Sequence, residues 1–442
     1  MRQKLIGRLA DSGKRRWPGT LTSGTVPFFA SRIGVRYSSA THAQANLLNP
    51  ENVSRHGMAK LPQTVIVIGF VSLLNDFASE MVVPLIPLLL ATVLAAGPVA
   101  LGLIEGVADT VSNLLKLWAG RHSDLYGRRR KPYVVAGYLL SNIVRPLIGF
   151  SGSWLTVLTL RVTDRVGKGL RTAPRDALIS DAIHDGIAGR AYGFTRAMDH
   201  AGAVLGALTA AAVVYWGTAR LDVIIALSSI PGVLVVALTA FGLKEPSHTR
   251  AIKHEIKPLV WPLLSPATRH YLLVIGFFTL GKIPETFLLL RGYGLGMSVV
   301  ELLLLWAAMH VVKSSISEYA GRIADRHGRR PLILTGWCVY AIALAGLAFV
   351  ETNIELWAWS LVLGSYFGLT EGAERALVRD LAVADERGTA FGWFHMLVGL
   401  CAIPAGLLLG GLWSLAGVKV AFLFSSLLAT IATISFWRFV RP

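Results

Sequence analysis

Gly120-Arg121-His122-Ser123-Asp124-Leu125-Tyr126-Gly127-Arg128-Arg129 joins one apolar run to the next. The chain repeats it 201 positions later as Gly321-Arg322-Ile323-Ala324-Asp325-Arg326-His327-Gly328-Arg329-Arg330. A second set returns at an offset of 199: Ala177-Leu178, Asp181, Gly189, Ala191 and Gly193 come back as Ala376-Leu377, Asp380, Gly388, Ala390 and Gly392. Two patterns that recur in register over half the length mark a chain made of two related units. In membrane proteins, the interface between such units is where solute sites are built.

The residues around these segments are strongly apolar. Of 442 residues, 53% are hydrophobic and 16% charged, against roughly 25% charged in a soluble domain. The apolar residues fall in runs such as Leu61 to Ala96 and Trp357 to Leu369, suited to crossing lipid. At about 20 residues per crossing, the chain from Leu61 onward accommodates twelve spans. They are placed near 62–93, 100–119, 132–150, 153–178, 190–215, 221–243, 268–292, 298–320, 331–350, 355–378, 388–412 and 417–438. The fold class is therefore an all-α polytopic membrane protein, with twelve transmembrane helices in two six-helix pseudo-symmetric bundles. The one long polar connection, with Lys244, Arg250, Lys253 and Lys257, splits the spans six and six. This gives a first bundle over 61–243, a linker over 244–267 and a second bundle over 268–442.

Lys and Arg concentrate in alternate connections: Arg121 to Lys131, Arg171 to Arg190, Lys244 to Lys257, Arg322 to Arg330 and Arg375 to Arg387. Positive loops stay on the cytoplasmic side, so both termini are expected there, in a plasma membrane. Net charge is +17, of which residues 1–60 contribute +8 from ten basic and two acidic residues. That tail is expected to be a disordered extension ahead of Met58, with a transit peptide as the competing reading. The remaining charge reads as loop bias, so nucleic acid is not an expected partner. Cys338 and Cys401 lie in apolar stretches without disulfide or metal spacing, and no metal or cofactor is expected.

The two GRxxDxxGRR segments resemble the loop signature of the major facilitator superfamily, and the resemblance covers Leu61 to Pro442. It implies alternating access about a site near the midplane, between halves related by an axis along the membrane normal. It also makes Gly120, Asp124, Gly127, Arg128, Gly321, Asp325, Gly328 and Arg329 conformational loop residues. Span four reads Leu160-Arg161-Val162-Thr163-Asp164-Arg165-Val166-Gly167-Lys168-Gly169, similar to the family's RxxQGxG, with Asp164 in place of Gln and Arg165 in place of Gly. The resemblance implies a part in proton coupling for Arg161. Span five carries Gly193, Gly202 and Gly206, resembling the antiporter motif G(x)8G(x)3GP with Ala207 in the proline position. That motif implies export in exchange for protons, while small-residue helix packing accounts for the same glycines.

Several charges fall where lipid should be. Span one has Asn75, Asp76 and Glu80, and span two has Glu105 and Asp109, each acid pair four residues apart and so on one helical face. Arg161 sits about 12 Å deep at 1.5 Å per residue, where an uncompensated charge costs at least about 3 kcal/mol. Asp76, Glu80, Glu105, Asp109, Arg145, Arg161 and Asp164 are accordingly candidate proton-coupling residues. The alternative is that each acid is permanently paired with a base, Arg145 and Arg161 being the partners at hand. In the second half, Lys282 and Glu285 are the deepest pair and candidate substrate contacts, together with Asn75 and His200. Arg171, Arg175 and Asp181 at the basic end are expected to form ion pairs that act as gates.

No P-loop, Rossmann glycine pattern or activated nucleophile is present, so no enzyme activity is expected. The reading is a monomeric secondary transporter, lying in the lipid bilayer, that exports a small organic solute in exchange for protons. The alternatives are proton-coupled uptake or facilitated diffusion of a metabolite and, from another class, a non-transporting membrane sensor or scaffold.

Overall fold

A computed structural model describes residues 61–125, 129–183, 187–217, 220–244, 259–383 and 387–440. Among them the secondary structure is helical throughout, in twelve spans. The first half comprises α1 (Gln63–Val93), α2 (Pro98–Leu125), α3 (Lys131–Phe150), α4 (Trp154–Ala182), α5 (Ala188–Trp216) and α6 (Leu221–Gly242). In the second half, α7 is in two pieces, Pro266–Leu280 and Thr286–Gly294. It is followed by α8 (Val299–His327), α9 (Arg329–Leu347), α10 (Asn353–Leu381), α11 (Arg387–Ala416) and α12 (Val418–Phe439).

Eight of these helices are long and apolar enough to cross a membrane by length and composition alone. The other four, α2, α4, α7 and α10, fall short for a physical reason: they carry acids and bases, or a break, where the others carry Leu and Val. Polar groups at that depth are tolerated only where protein or a cavity receives them. Span seven, expected as one helix over 268–292, is interrupted between Leu280 and Thr286. Pro284 cannot continue the helix, and the Ile283 amide is bonded instead by the Tyr340 hydroxyl at 2.7 Å.

Helix starts follow local chemistry. Ser298 caps α8 and Thr352 caps α10, each in a reciprocal box with Glu301 or Glu355 three residues on. The internal repeat is visible in side-chain pairing. Arg130 at the start of α3 pairs with Asp181 at the end of α4, and Arg329 at the start of α9 pairs with Asp380 at the end of α10, both partners displaced by the same 199 positions.

The halves meet most closely where α2 lies against α11. A Cβ placed on Gly102 would stand 2.1 Å from the Gly406 carbonyl oxygen, and one on Gly406 would stand 2.1 Å from that of Gly102. Within the first half, α5 approaches α1 in the same way: a Cβ at Gly202 would lie 2.1 Å from the Leu73 oxygen and one at Gly206 2.4 Å from that of Phe77. Gly193, by contrast, faces open space. Gly202 and Gly206 thus have a packing reason to be glycine that needs no reference to exchange.

Of the loop residues expected from the repeat, Gly127, Arg128 and the side chains of Asp124 and Asp325 lie outside what the structure describes. Gly120 faces Ala173, and Gly321 faces open space. Gly328 takes φ +83 between α8 and α9, a backbone conformation open to glycine at little cost.

Candidate functional site

Helices α1, α2, α3 and α4 from one half and α7, α8, α10 and α11 from the other enclose a central cavity of about 380 Å³. Its wall is charged to an unusual degree for a space between membrane spans. Asn75, Asp76, Glu80, Glu105, Asp109, Arg145, Arg161, Arg165, Lys168, Arg171, Lys282 and Glu285 all line it, so the structure brings most of the sequence-level candidates to one place.

A buried network ties α1 to α4 together. Arg161 Nη2 donates to Glu105 Oε2 at 3.2 Å, and Arg161 Nη1 reaches Asp164 Oδ2 at 3.5 Å. The other oxygen of Asp164 accepts from Arg145 Nε at 2.8 Å, and Arg145 Nη1 donates to Asn75 Oδ1 at 3.1 Å. Two carboxylates and two guanidinium groups therefore cancel in a space that water barely reaches: Arg161 is 2% exposed and Asp164 0%. Taking such charges out of water costs several kcal/mol each, offset only when every lobe has a partner. Glu105, Asp164, Arg145 and Arg161 thus occupy the arrangement in which acids are held by fixed bases.

Asp76 is different. Its Oδ1 accepts from Asn75 Nδ2 at 2.9 Å, and among the described residues no Lys or Arg nitrogen comes within 4.0 Å of its carboxylate. Asp109 likewise faces the cavity without an ion pair among the described residues. Glu80 accepts from Trp306 Nε1 at 2.7 Å and lies 3.9 Å from His310 Nε2, so it bridges α1 to α8 across the two halves. Sequence reasoning passed over Trp306, because an aromatic residue inside an apolar run gives no sign of the acid that its indole will meet.

Three sequence expectations are corrected here. Lys282 does not pair with Glu285: the helix is broken between them, Glu285 pairs with Lys313 of α8, and the Lys282 ammonium stands 5.8 and 5.7 Å over the rings of Phe278 and Tyr366. His200 does not line the central cavity. It belongs to a second space between α5, α8 and α10, with Arg196 and Glu371. Arg171, expected in a gate ion pair, lines the central cavity and has neutral partners, Ser141 Oγ at 2.7 Å and the face of Tyr138 at 4.6 Å.

Arg175 and Asp181 do form ion pairs at the basic end, but with Asp176, Asp199 and Arg130, all in the first half. An ion pair that crosses between the halves there, among the described residues, is Arg196 of α5 with Glu371 of α10 at 3.7 Å, Glu371 also accepting from Arg375 at 3.4 Å. Both partners are nearly half exposed, and exposed pairs are worth about 0–1 kcal/mol. Arg196→Ala should therefore change the free energy of unfolding in detergent by less than about 1 kcal/mol. A larger loss in chemical denaturation would show that the pair carries the fold.

Fold and cavity together define a class: a multi-pass membrane protein of two helical bundles around a central charged cavity. The chain belongs to the major facilitator superfamily, whose family model matches residues 68–316 and 289–442. It is 32% identical over 382 residues to an uncharacterized MFS-type transporter of Methanocaldococcus jannaschii, covering 84% of this chain and 94% of the relative. A shorter stretch of 135 residues, 29% of this chain and 32% of the relative, is 29% identical to multidrug resistance protein 2 of Bacillus subtilis. Among solved structures, the fold is similar to that of the nucleoside transporter NupG with a TM-score of 0.70, over 86% of this chain and all of that one, at 12% identity.

Proposed function

We propose that the protein is a monomeric, proton-coupled secondary transporter of a small organic solute. It works by alternating access about the central cavity, in the plasma membrane with both termini cytoplasmic. The observation that carries the reading is Asp76. Its neighbours Glu105 and Asp164 are locked to arginines, whereas the Asp76 carboxylate faces the cavity with an amide as its only hydrogen-bond partner among the described residues. An acid outside any fixed ion pair can gain and lose a proton without breaking one. It can thus change the charge of the site as the halves rock.

Two directions of coupling remain, each with its own support. Export in exchange for protons is supported by the similarity to a multidrug resistance protein. Co-transport with protons is supported by the wall of the cavity, where Lys168 and Lys282 make no ion pair within 4.0 Å among the described residues. A proton on Asp76 would remove a negative charge that repels an anionic solute.

The test is internal pH in proteoliposomes holding an imposed proton gradient, as organic cations, anions and neutral metabolites are added in turn. Proton movement opposite to one solute is exchange, and movement with it is co-transport. Either should vanish in Asp76→Asn while solute binding persists. A solute that crosses with no proton movement in the parent protein would overturn coupling and leave a facilitator.

A further inference from the structure

The charges on the cavity wall do not cancel. Glu105 and Asp164 are matched by Arg161 and Arg145, and Glu285 by Lys313. The remaining wall charges are the cations Arg165, Lys168, Arg171 and Lys282, against the acids Asp76, Glu80 and Asp109. None of the four cations makes an ion pair among the described residues. Arg165 Nε is buried with no hydrogen-bond partner. Arg171 is held by neutral oxygens, and the Lys282 ammonium lies over the rings of Phe278 and Tyr366.

Their placement is orderly. Arg165, Lys168 and Arg171 follow one another at three-residue intervals along α4, so they form one stripe on that helix. Lys282 enters the same cavity from the other half, at the break in α7. An ammonium or guanidinium group facing a space between membrane spans is costly unless something compensates it, and here the protein supplies fewer acids than bases.

We infer that the central cavity takes a small organic anion, bearing a carboxylate, sulfonate or phosphate, seated among Arg165, Lys168 and Arg171 of α4 and Lys282 of α7. The inference rests on the reading of this cavity as the transport site and adds the charge of what is transported. Guanidinium groups suit a planar or tetrahedral oxyanion through paired N–H donors, and lysines add point charge. A solute bridging α4 and α7 would also join the two halves, as alternating access requires.

The experiment reads the field of the cavity without knowing the solute. In a Cys338→Ala, Cys401→Ala background, a cysteine is introduced on the α11 wall as Ala402→Cys or, separately, Val398→Cys. Each is modified with two methanethiosulfonate reagents of similar size, one an ethyl sulfonate and one an ethyl trimethylammonium, and each rate is divided by that reagent's rate with free 2-mercaptoethanol. A net positive wall raises the local concentration of anions, so the anionic reagent should be favoured severalfold. The preference should collapse in Lys168→Gln and Lys282→Gln. Equal rates, or preference for the cationic reagent, would overturn the inference while leaving the transport reading intact. If neither reagent reaches either cysteine from either side of the membrane, the cavity does not admit solute and both readings fail.

Discussion

Asp164→Leu is expected to lower the stability of the protein in detergent by about 3–5 kcal/mol, the cost of stripping the partner from buried charges. Asp164 is the hinge of the network: one carboxylate oxygen faces Arg145 and the other Arg161. Among the described residues, removing it leaves Arg161 with Glu105 and Arg145 with no carboxylate, both largely buried. Thermal unfolding followed by tryptophan emission measures the loss. The second variant separates charge balance from packing: Asp164→Leu combined with Arg145→Leu restores equality with Glu105 and Arg161, and should recover a large part of the deficit. Full stability in the single variant would show that water or a neighbouring chain already balances these groups.

Gly102→Val and Gly406→Val should be as severe, by a different mechanism. Each new Cβ would stand 2.1 Å from a backbone carbonyl oxygen of the facing helix, and a carbonyl within a helix cannot swing aside as a side-chain end can. Overpacking typically costs about 1–3 kcal/mol and occasionally more. Here it also forces apart the two helices that join the halves, so solute flux should fall to the level of empty liposomes. Gly193→Ala is the control. It lies in the same kind of small-residue pattern but faces open space, and its effect on stability should stay within about 0.5 kcal/mol. If Gly102→Val transports normally, α2 and α11 slide or separate far more freely than their contact implies.

The two sets of glycines show how the sequence can be right about a pattern and silent about its cause. Gly193, Gly202 and Gly206 are evenly suggestive in the chain, yet only Gly202 and Gly206 meet a facing backbone. The same holds for charge. Spacing placed Asp76 with Glu80 and Glu105 with Asp109 on common faces, and all four line one cavity. Nothing in that spacing separated Glu105, which Arg161 holds, from Asp76, which has no ion pair among the described residues. Arg165 reads as a departure from a family pattern rather than as a wall residue, and Arg171 as a gate. A helix stripe fixes which residues share a face, but not what stands opposite that face.

Twelve spans, their division six and six, and the internal repeat were determined by the sequence itself. In lipid a helix satisfies its own backbone hydrogen bonds, so an apolar run of the right length specifies a span, as in eight of the twelve, while α2, α4, α7 and α10 fit by length between the charged connections. Partners were decided only by the tertiary structure. Lys282 and Glu285 are three residues apart and would meet on an unbroken helix, but Pro284 interrupts α7. Glu285 then finds Lys313, 28 positions away on α8, and Lys282 is left facing the cavity. Coulomb attraction depends on distance in space, and the break in one helix changed every distance that mattered to these two charges.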